Sequence, residues 1–257
     1  LTMTAPTEEI KVFYRASDEG STEGALQDCI DANCRALSLP EVADKRIQGV
    51  EPWNRWRTTI SSRMTGIPTG EQEAFTVYWH EPTELATPQG IQAAKAQGLV
   101  KGAGRATQGI FNAIYTIAAT QKQHLIIPHR KLLELTSGFI SIANAEKDLR
   151  IIASLDGADR VGKYLPAHAR AYNTIRIGVR HSNDLNDESP LARLLYLGFD
   201  DDFSLNGDYY LLDSGLFAGV RVVDSGSTQT LEESIEDIGN RHIQALGQVM
   251  RQRGFRV

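Results

Sequence analysis

The chain has 257 residues, of which 41% are hydrophobic, 23% charged and 7% aromatic, and its formal net charge is −5. That length and apolar content can bury a sizeable core, which excludes a wholly disordered chain and fits one large domain, or a core with a small lobe, better than three domains. No apolar run approaches the roughly 18 residues of a membrane-spanning helix, and residues 1–9 lack the charged and apolar regions of a signal peptide, so neither a membrane partner nor that secretory route is expected.

The first elements carry clear patterns. Residues 9–16 (EIKVFYRA) read as a short strand, and Ser21 and Thr22 offer caps for a helix running on to Leu37, with Ala25, Leu26, Cys29, Ile30 and Cys34 on its apolar face. Cys29 and Cys34, five apart on that helix, have the wrong geometry for a mutual bridge and read as core, in a reducing compartment or with indifference to redox. The run 53–64 (WNRWRTTISSRM) and the run 74–80 (AFTVYWH) are rich in β-formers, and the intervening Gly66, Pro68 and Gly70 make a loop. Together they predict a projecting β-hairpin over 53–86.

Thr87-Pro88 is an N-cap followed by a first helical residue, and Ile91, Ala94, Leu99, Ile110, Ile114 and Ile117 have helical spacing up to Gln123. Each mid-helix glycine costs about 1 kcal/mol, so two helices broken near Gly102 and Gly104 are expected rather than one rod. A short buried strand (HLII, 124–127) ends at Pro128, and a further helix spans Arg130 to Leu135. Residues 154–171 read as loop. Strands are then expected over 174–180, 192–199, 208–213 and 217–223, mostly antiparallel because their connections are short, before a last helix near 231–252. The expected class is α+β: an N-terminal arm and helix (1–52), the projecting hairpin, and an α+β core with a mostly antiparallel C-terminal sheet (87–257).

Charge is segregated along the chain. Residues 182–237 hold 13 acidic side chains against Arg193 and Arg221, a net of −11 that leaves +6 for the rest, and no Asp or Glu occurs from Leu85 to Leu133. Within that acid-free stretch lie Lys95, Lys101 and Arg105. Such an arrangement steers an anionic partner, lets unlike regions of two copies meet, or simply gives two solvated faces of different sign.

The candidate chemistry is sparse. His80-Glu81 and Glu84 form H-E-x-x-E, where a metalloprotease would need a second His and a helix free of Pro82. Asp200, Asp201 and Asp202 follow a strand and offer hard oxygen ligands to a divalent cation, or else solvated turn residues. His181-Ser182-Asn183-Asp184 reads as a capped turn. KGAGRATQG (101–109) resembles a phosphate-cradling loop only in composition, since no Lys-Ser or Lys-Thr follows. Trp53, Arg55, Trp56 and Arg57 interleave aromatic and basic groups that could stack bases and meet phosphates, or could bury two Trp beside the hairpin.

The order of elements resembles the major capsid proteins of tailed phages: an arm, a long-tipped hairpin (53–80), a basic helix (87–108) and the helix-strand-helix segment IFNAIYTIAATQKQHLIIPHRKLLEL before a closing sheet. The resemblance implies an extended loop, a spine helix and a central sheet. It also implies a homo-oligomer without cofactor, in a virion or the cytoplasm, touching nucleic acid by non-specific charge contacts. A structural self-assembling protein is therefore the expectation. The competing classes are a metal-dependent enzyme acting on nucleotides or phosphoesters through Asp200–Asp202, and a nucleic-acid-binding module using residues 53–57.

Overall fold

A computed structural model describes residues 10–15, 21–198, 205–207 and 215–221. β1 (Ile10–Arg15) is followed by α1 (Ser21–Asp31), the short β2 (Cys34–Ala36) and α2 (Leu39–Ile47). β3 (Arg57–Gly66) and β4 (Phe75–Trp79) form an antiparallel hairpin, and a 3-10 turn (Glu84–Ala86) leads into α3 (Pro88–Ala96). β5 (Gly104–Arg105), α4 (Gln108–Gln121), β6 (Ile126–Pro128) and α5 (His129–Glu134) come next. β7 (Gly138–Ser141), α6 (Ile142–Ala145), α7 (Leu149–Ser154) and α8 (Ala158–Tyr172) precede β8 (Arg176–His181), β9 (Leu191–Leu197), β10 (Leu205–Gly207) and β11 (Gly215–Arg221). All lie in one compact unit, Leu1–Arg221; the other unit, Val222–Val257, is outside the described residues.

The strands join in one sheet of order β1-β11-β3-β9-β10-β8-β7, with β2 on β11, β4 on β3, β6 on β4 and β5 on β9. Among the described residues only the β3–β11 and β8–β10 pairs are parallel. Alternate residues of a strand face opposite sides, and here both sides are covered. Val77, Leu194 and Phe217 pack with α1, α3 and α4, whereas Tyr78, Leu195 and Ala218 pack with α2, α7 and α8. That double burial explains why β9 reads as the nearly continuous apolar run LARLLYL.

The α+β class with a mostly antiparallel sheet is as expected, and so are several local signals. Thr87 caps α3 by accepting from the Gly90 N–H at 3.0 Å, and Thr107 does the same for α4 from Ile110 at 3.3 Å. The glycine-rich break between them is a tight turn. Val100 and Ala103 pair across Lys101 and Gly102, both at positive φ (50° and 81°), the backbone that a type I′ turn requires.

Four expectations are corrected. The hairpin does not project: every residue of β3 is buried, because β3 pairs with β4, β9 and β11, and only its connection to β4 reaches the surface. The first helix stops at Asp31, and Asn33 takes a positive φ of 52° that turns the chain, so Cys34 stands on β2 instead of the helix. No continuous spine occupies 87–108, since α3 ends at Ala96. Residues 154–171 are largely the helix α8, despite Gly162 and Pro166: Val161, Tyr164, Leu165 and His168 recur on one buried face, and that burial outweighs the ~3 kcal/mol intrinsic cost of an interior proline. The strand expected over 208–213 and the helix near 231–252 lie outside the described residues.

Two glycines separate local propensity from packing. Gly162 on α8 has open space where a methyl group would stand, while at Gly90 on α3 a Cβ would collide with the Glu84 carbonyl oxygen. Gly162→Ala is therefore expected to stabilise by about 0.5–1 kcal/mol, and Gly90→Ala to destabilise by about 1–3 kcal/mol, as read from denaturant midpoints. Equal and favourable shifts at both would contradict the packing around Thr87.

Candidate functional site

The strand pairing itself creates an electrostatic problem. Arg63 on β3 lies directly opposite Arg193 on β9, and both are fully buried. Like charges opposite one another across strands repel, and the desolvation of each is costly. Asp184 resolves this. Arg193 donates to its carboxylate through Nε and Nη2, each at 2.9 Å, and Arg63 Nη2 donates to Oδ2. Ser182 Oγ accepts from Arg63 Nη2 at 2.9 Å and donates to Asp184 Oδ1 at 2.9 Å. Burial pushes the Asp184 carboxyl up, but Arg63, Arg193 and Ser182 more than offset that and hold it below its ordinary value.

Its neighbours complete a knot. His181 Nδ1 accepts from Arg150 Nη1 at 3.0 Å, and Arg150 is clamped by Asp148. Asn183 Oδ1 accepts from His129 Nε2 at 3.0 Å, and His129 Nδ1 continues through Thr76 to Thr65. The four consecutive residues 181–184 thus bond to buried groups, with Arg63 shared by Ser182 and Asp184, and Asn183 Oδ1 also accepts from the Leu185 N–H at 3.2 Å, in keeping with the capped turn that the sequence suggested. Apart from Arg193, 9 positions from Asp184, their buried partners are 31 to 121 positions away, beyond the reach of a local pattern.

The sequence candidates separate accordingly. His80 is not free for a metal: Nε2 donates to the Ala153 carbonyl at 2.8 Å, and Nδ1 accepts from Ser61 Oγ at 2.9 Å. Burial lowers its pKa to about 4. Among the described residues no group of three His, Cys, Asp or Glu could hold a metal ion; Asp200, Asp201 and Asp202 lie outside them. Cys29 and Cys34 are buried free thiols, and burial raises Cys29 to about 12, in keeping with a core role.

Two of the basic candidates in the acid-free stretch are paired with carboxylates. Lys95 is paired with Glu23 at 2.6 Å and Arg105 with Glu188 at 2.9 Å. Lys101 is exposed, and its carbonyl accepts from Arg193 Nη2 at 2.6 Å. Trp53 is an anchor: its ring lies 5.3 Å from Tyr164 and 5.9 Å from Tyr172, whose hydroxyl donates to the Trp53 carbonyl, and the Arg46 guanidinium sits 5.7 Å above it. Arg57 is buried against Glu51 at 2.5 Å. Trp53 is thus partly buried by its anchoring contacts, and the Arg57 guanidinium is withdrawn from solvent.

Arg55 and Trp56 remain, and they border a groove of about 660 Å³. Its lining is Val12 and Tyr14 of β1, Leu216 of β11, and Pro52, Asn54, Arg55, Trp56 and Arg57 from the segment entering β3. Trp53, locked among α8 aromatics, and Arg46, which donates to the Arg55 carbonyl, hold that segment in place. Val12 and Tyr14 are 51% and 58% exposed, and Trp56 rests edge-on against Tyr196 at 6.4 Å. The groove therefore presents aromatic faces beside a guanidinium that no described residue bonds. Sequence reading found the 53–57 side of it but not β1 or Leu216.

Two measurements check this assignment of roles. Asp184→Asn should cost about 3–5 kcal/mol of unfolding free energy, because two buried guanidinium groups lose their counter-charge; Glu188→Gln, whose partner Arg105 is at the surface, should cost less than about 1 kcal/mol. For His80, a pKa lowered from about 6.5 in the unfolded chain to about 4 in the fold means that the unfolded state binds the proton first as pH falls. Stability from this group is whole above pH 6.5 and drains away towards pH 4, by about 3 kcal/mol at most. Denaturation between pH 7 and 5 should show that slope, and His80→Gln should flatten it.

No family model matches the chain, and no curated protein does. Among the described residues no helix is long and apolar enough to cross a membrane. The chain is similar to a solved structure that concerns the accommodation of massive sequence variation in Nanoarchaeota by the C-type lectin fold. The match has a TM-score of 0.73 and 27% identity, and it covers 84% of this chain and 99% of that one. The architecture described above is thus an α+β fold of C-type-lectin-like form.

Proposed function

We propose that this chain is a recognition protein, whose groove between β1 and the segment 52–57 binds a partner molecule. The observation that carries this reading is the separation of polar groups. Those with chemical potential, His80, His129, Asp184 and Arg63, are consumed inside the fold, whereas Tyr14, Arg55 and Trp56 are presented at the groove. Tyr, Trp and Arg are the side chains that most often dominate binding energy at interfaces. The similarity to a C-type lectin fold that accommodates massive sequence variation supports it in physical terms. A scaffold fixed by an internal polar knot can change its surface residues at little cost in stability.

A second reading, a self-assembling shell component, draws support from the exposure of Val12 and Tyr14 on β1, an end strand of the sheet order, which would suit contacts between copies. Against a charge-driven version stands the pairing of Lys95 and Arg105 with carboxylates of the same chain. Light scattering across protein concentration separates the two: particles much larger than a dimer favour the shell.

The recognition reading predicts that ligands selected from glycan and peptide libraries lose at least about tenfold in affinity with Trp56→Ala, while the melting temperature changes little. Selected ligands indifferent to Trp56, Arg55 and Tyr14 would contradict it.

A further inference from the structure

Two cysteines on one helix at this spacing could not bridge, but the fold does not keep Cys29 and Cys34 on one helix. α1 ends at Asp31, the positive φ of 52° at Asn33 turns the chain, and Cys34 stands on β2. The turn brings Cys34 back to Cys29, whose thiol donates to the Cys34 carbonyl oxygen at 3.5 Å. Both side chains are 0% exposed and belong to the same apolar cluster. Gly219 on β11 makes the room for them. A Cβ on Gly219 would stand 2.7 Å from Cys29 Sγ and 3.1 Å from Cys34 Cβ, closer than packed atoms usually come, so the two cysteines meet in the space that this glycine leaves open.

A disulfide asks for Cβ atoms about 3.8 Å apart, with each sulfur turned towards the other. Cys29 Sγ already lies against Cys34. A change of χ1 well at Cys34, whose thiol donates to the Ala32 carbonyl at 3.5 Å, carries its sulfur about 3 Å. The surroundings favour the bridged form over a charged one. Burial, and then the charge of a neighbouring Cys34 thiolate, raises Cys29 to about 12, whereas a disulfide carries no charge and suits an apolar cluster. Exchange in the folded chain therefore waits on opening of the α1 end, and the bridge closes most readily while the chain folds.

We infer that Cys29 and Cys34 are a disulfide site, closed by exchange with a low-molecular-weight disulfide such as oxidised glutathione, which ties the end of α1 to β2. The thiolate of one cysteine attacks a glutathione sulfur and expels one glutathione thiolate. The thiolate of the other then attacks the protein sulfur of that mixed disulfide and expels the second. The two cysteines give up two protons and two electrons, and one glutathione disulfide becomes two glutathione thiols. Because β2 pairs with β11, Cys34 opposite Arg221 and Ala36 opposite Gly219, the bridge also fastens α1 to the strand on which it packs. It constrains the unfolded chain and stabilises the fold to the extent that native geometry suits it. The site is separate from the groove, and the inference does not rest on the recognition reading.

The test compares bridging in the folded and the unfolded chain. The whole chain is equilibrated in buffers of stepped ratio of oxidised to reduced glutathione, with and without guanidinium chloride, then quenched in acid, unfolded and alkylated before its mass is measured. A bridged chain takes no label and is lighter by two hydrogen atoms. Cleaved before Asp31, which lies between the two cysteines, it keeps its fragments joined until they are reduced. The folded chain should reach half bridging at a ratio at least about tenfold lower than the unfolded chain, and by linkage the bridged chain should unfold with an equilibrium constant smaller by the same factor. Two labelled cysteines in the folded chain at every ratio, glutathione held on one cysteine in place of the bridge, or bridging no easier in the folded chain than in guanidinium would each overturn the inference and leave the groove reading standing.

Discussion

One carboxylate sets the terms for the rest of the molecule. The β3–β9 pairing places Arg63 directly against Arg193 in a site without solvent, and that register is tolerable only because Asp184 reaches both. A buried ion pair is not in general worth more than a packed apolar group, but breaking one leaves a charge that nothing offsets. The same interaction therefore acts as a specificity device: slipping the strand pair by one residue would turn these guanidinium groups away from Asp184 and towards apolar helices. The neighbours of Asp184 extend the constraint, since His181 ties in Arg150 at the start of α7 and Asn183 ties in His129 at the start of α5.

The groove lies outside that network, and the separation has a functional consequence. Trp53 and Arg46 anchor the segment 52–57 to α8 and α2, so Arg55 and Trp56 are held at its rim with their backbone already ordered. Ordering of loops and side chains is a large part of what binding costs, and pre-ordering removes some of it. Substitutions at Asn54, Arg55 or Trp56 would alter what the groove meets without touching the contacts of Asp184. On the proposed recognition reading, a chain that keeps stability and binding on separate residues could vary its groove while it keeps its core.

Sequence patterns revealed the parts whose causes are local. The Thr87-Pro88 cap, the β-branched run of β4 and the break around Gly102 each depend on residues a few positions apart, and each is present. α8 escaped notice because Gly162 and Pro166 outweigh its periodic apolar positions when propensity is read alone, whereas the fold weighs burial of Tyr164 and Leu165 more. The knot was illegible for a different reason: Ser182 and Arg63 are 119 residues apart, and Asn183 and His129 54. For the groove, WNRWR drew attention through its composition, yet Arg57 proved to be internal and Trp53 is anchored, half-buried, against aromatic rings of α8. Alternation of the two roles within five residues reflects a segment that is anchored on one side and open on the other.

The most direct test of this account is a double-mutant cycle on the central contact, with unfolding free energies measured for Asp184→Asn, Arg193→Gln and the pair together. If Asp184 is what permits two buried guanidinium groups to face each other, removing one of them relieves part of the damage from losing the carboxylate. The double variant should then be more stable than the sum of the single losses by at least about 1.5 kcal/mol. Additivity to within about 0.5 kcal/mol would show that the two residues act independently, and the fold would need another keystone.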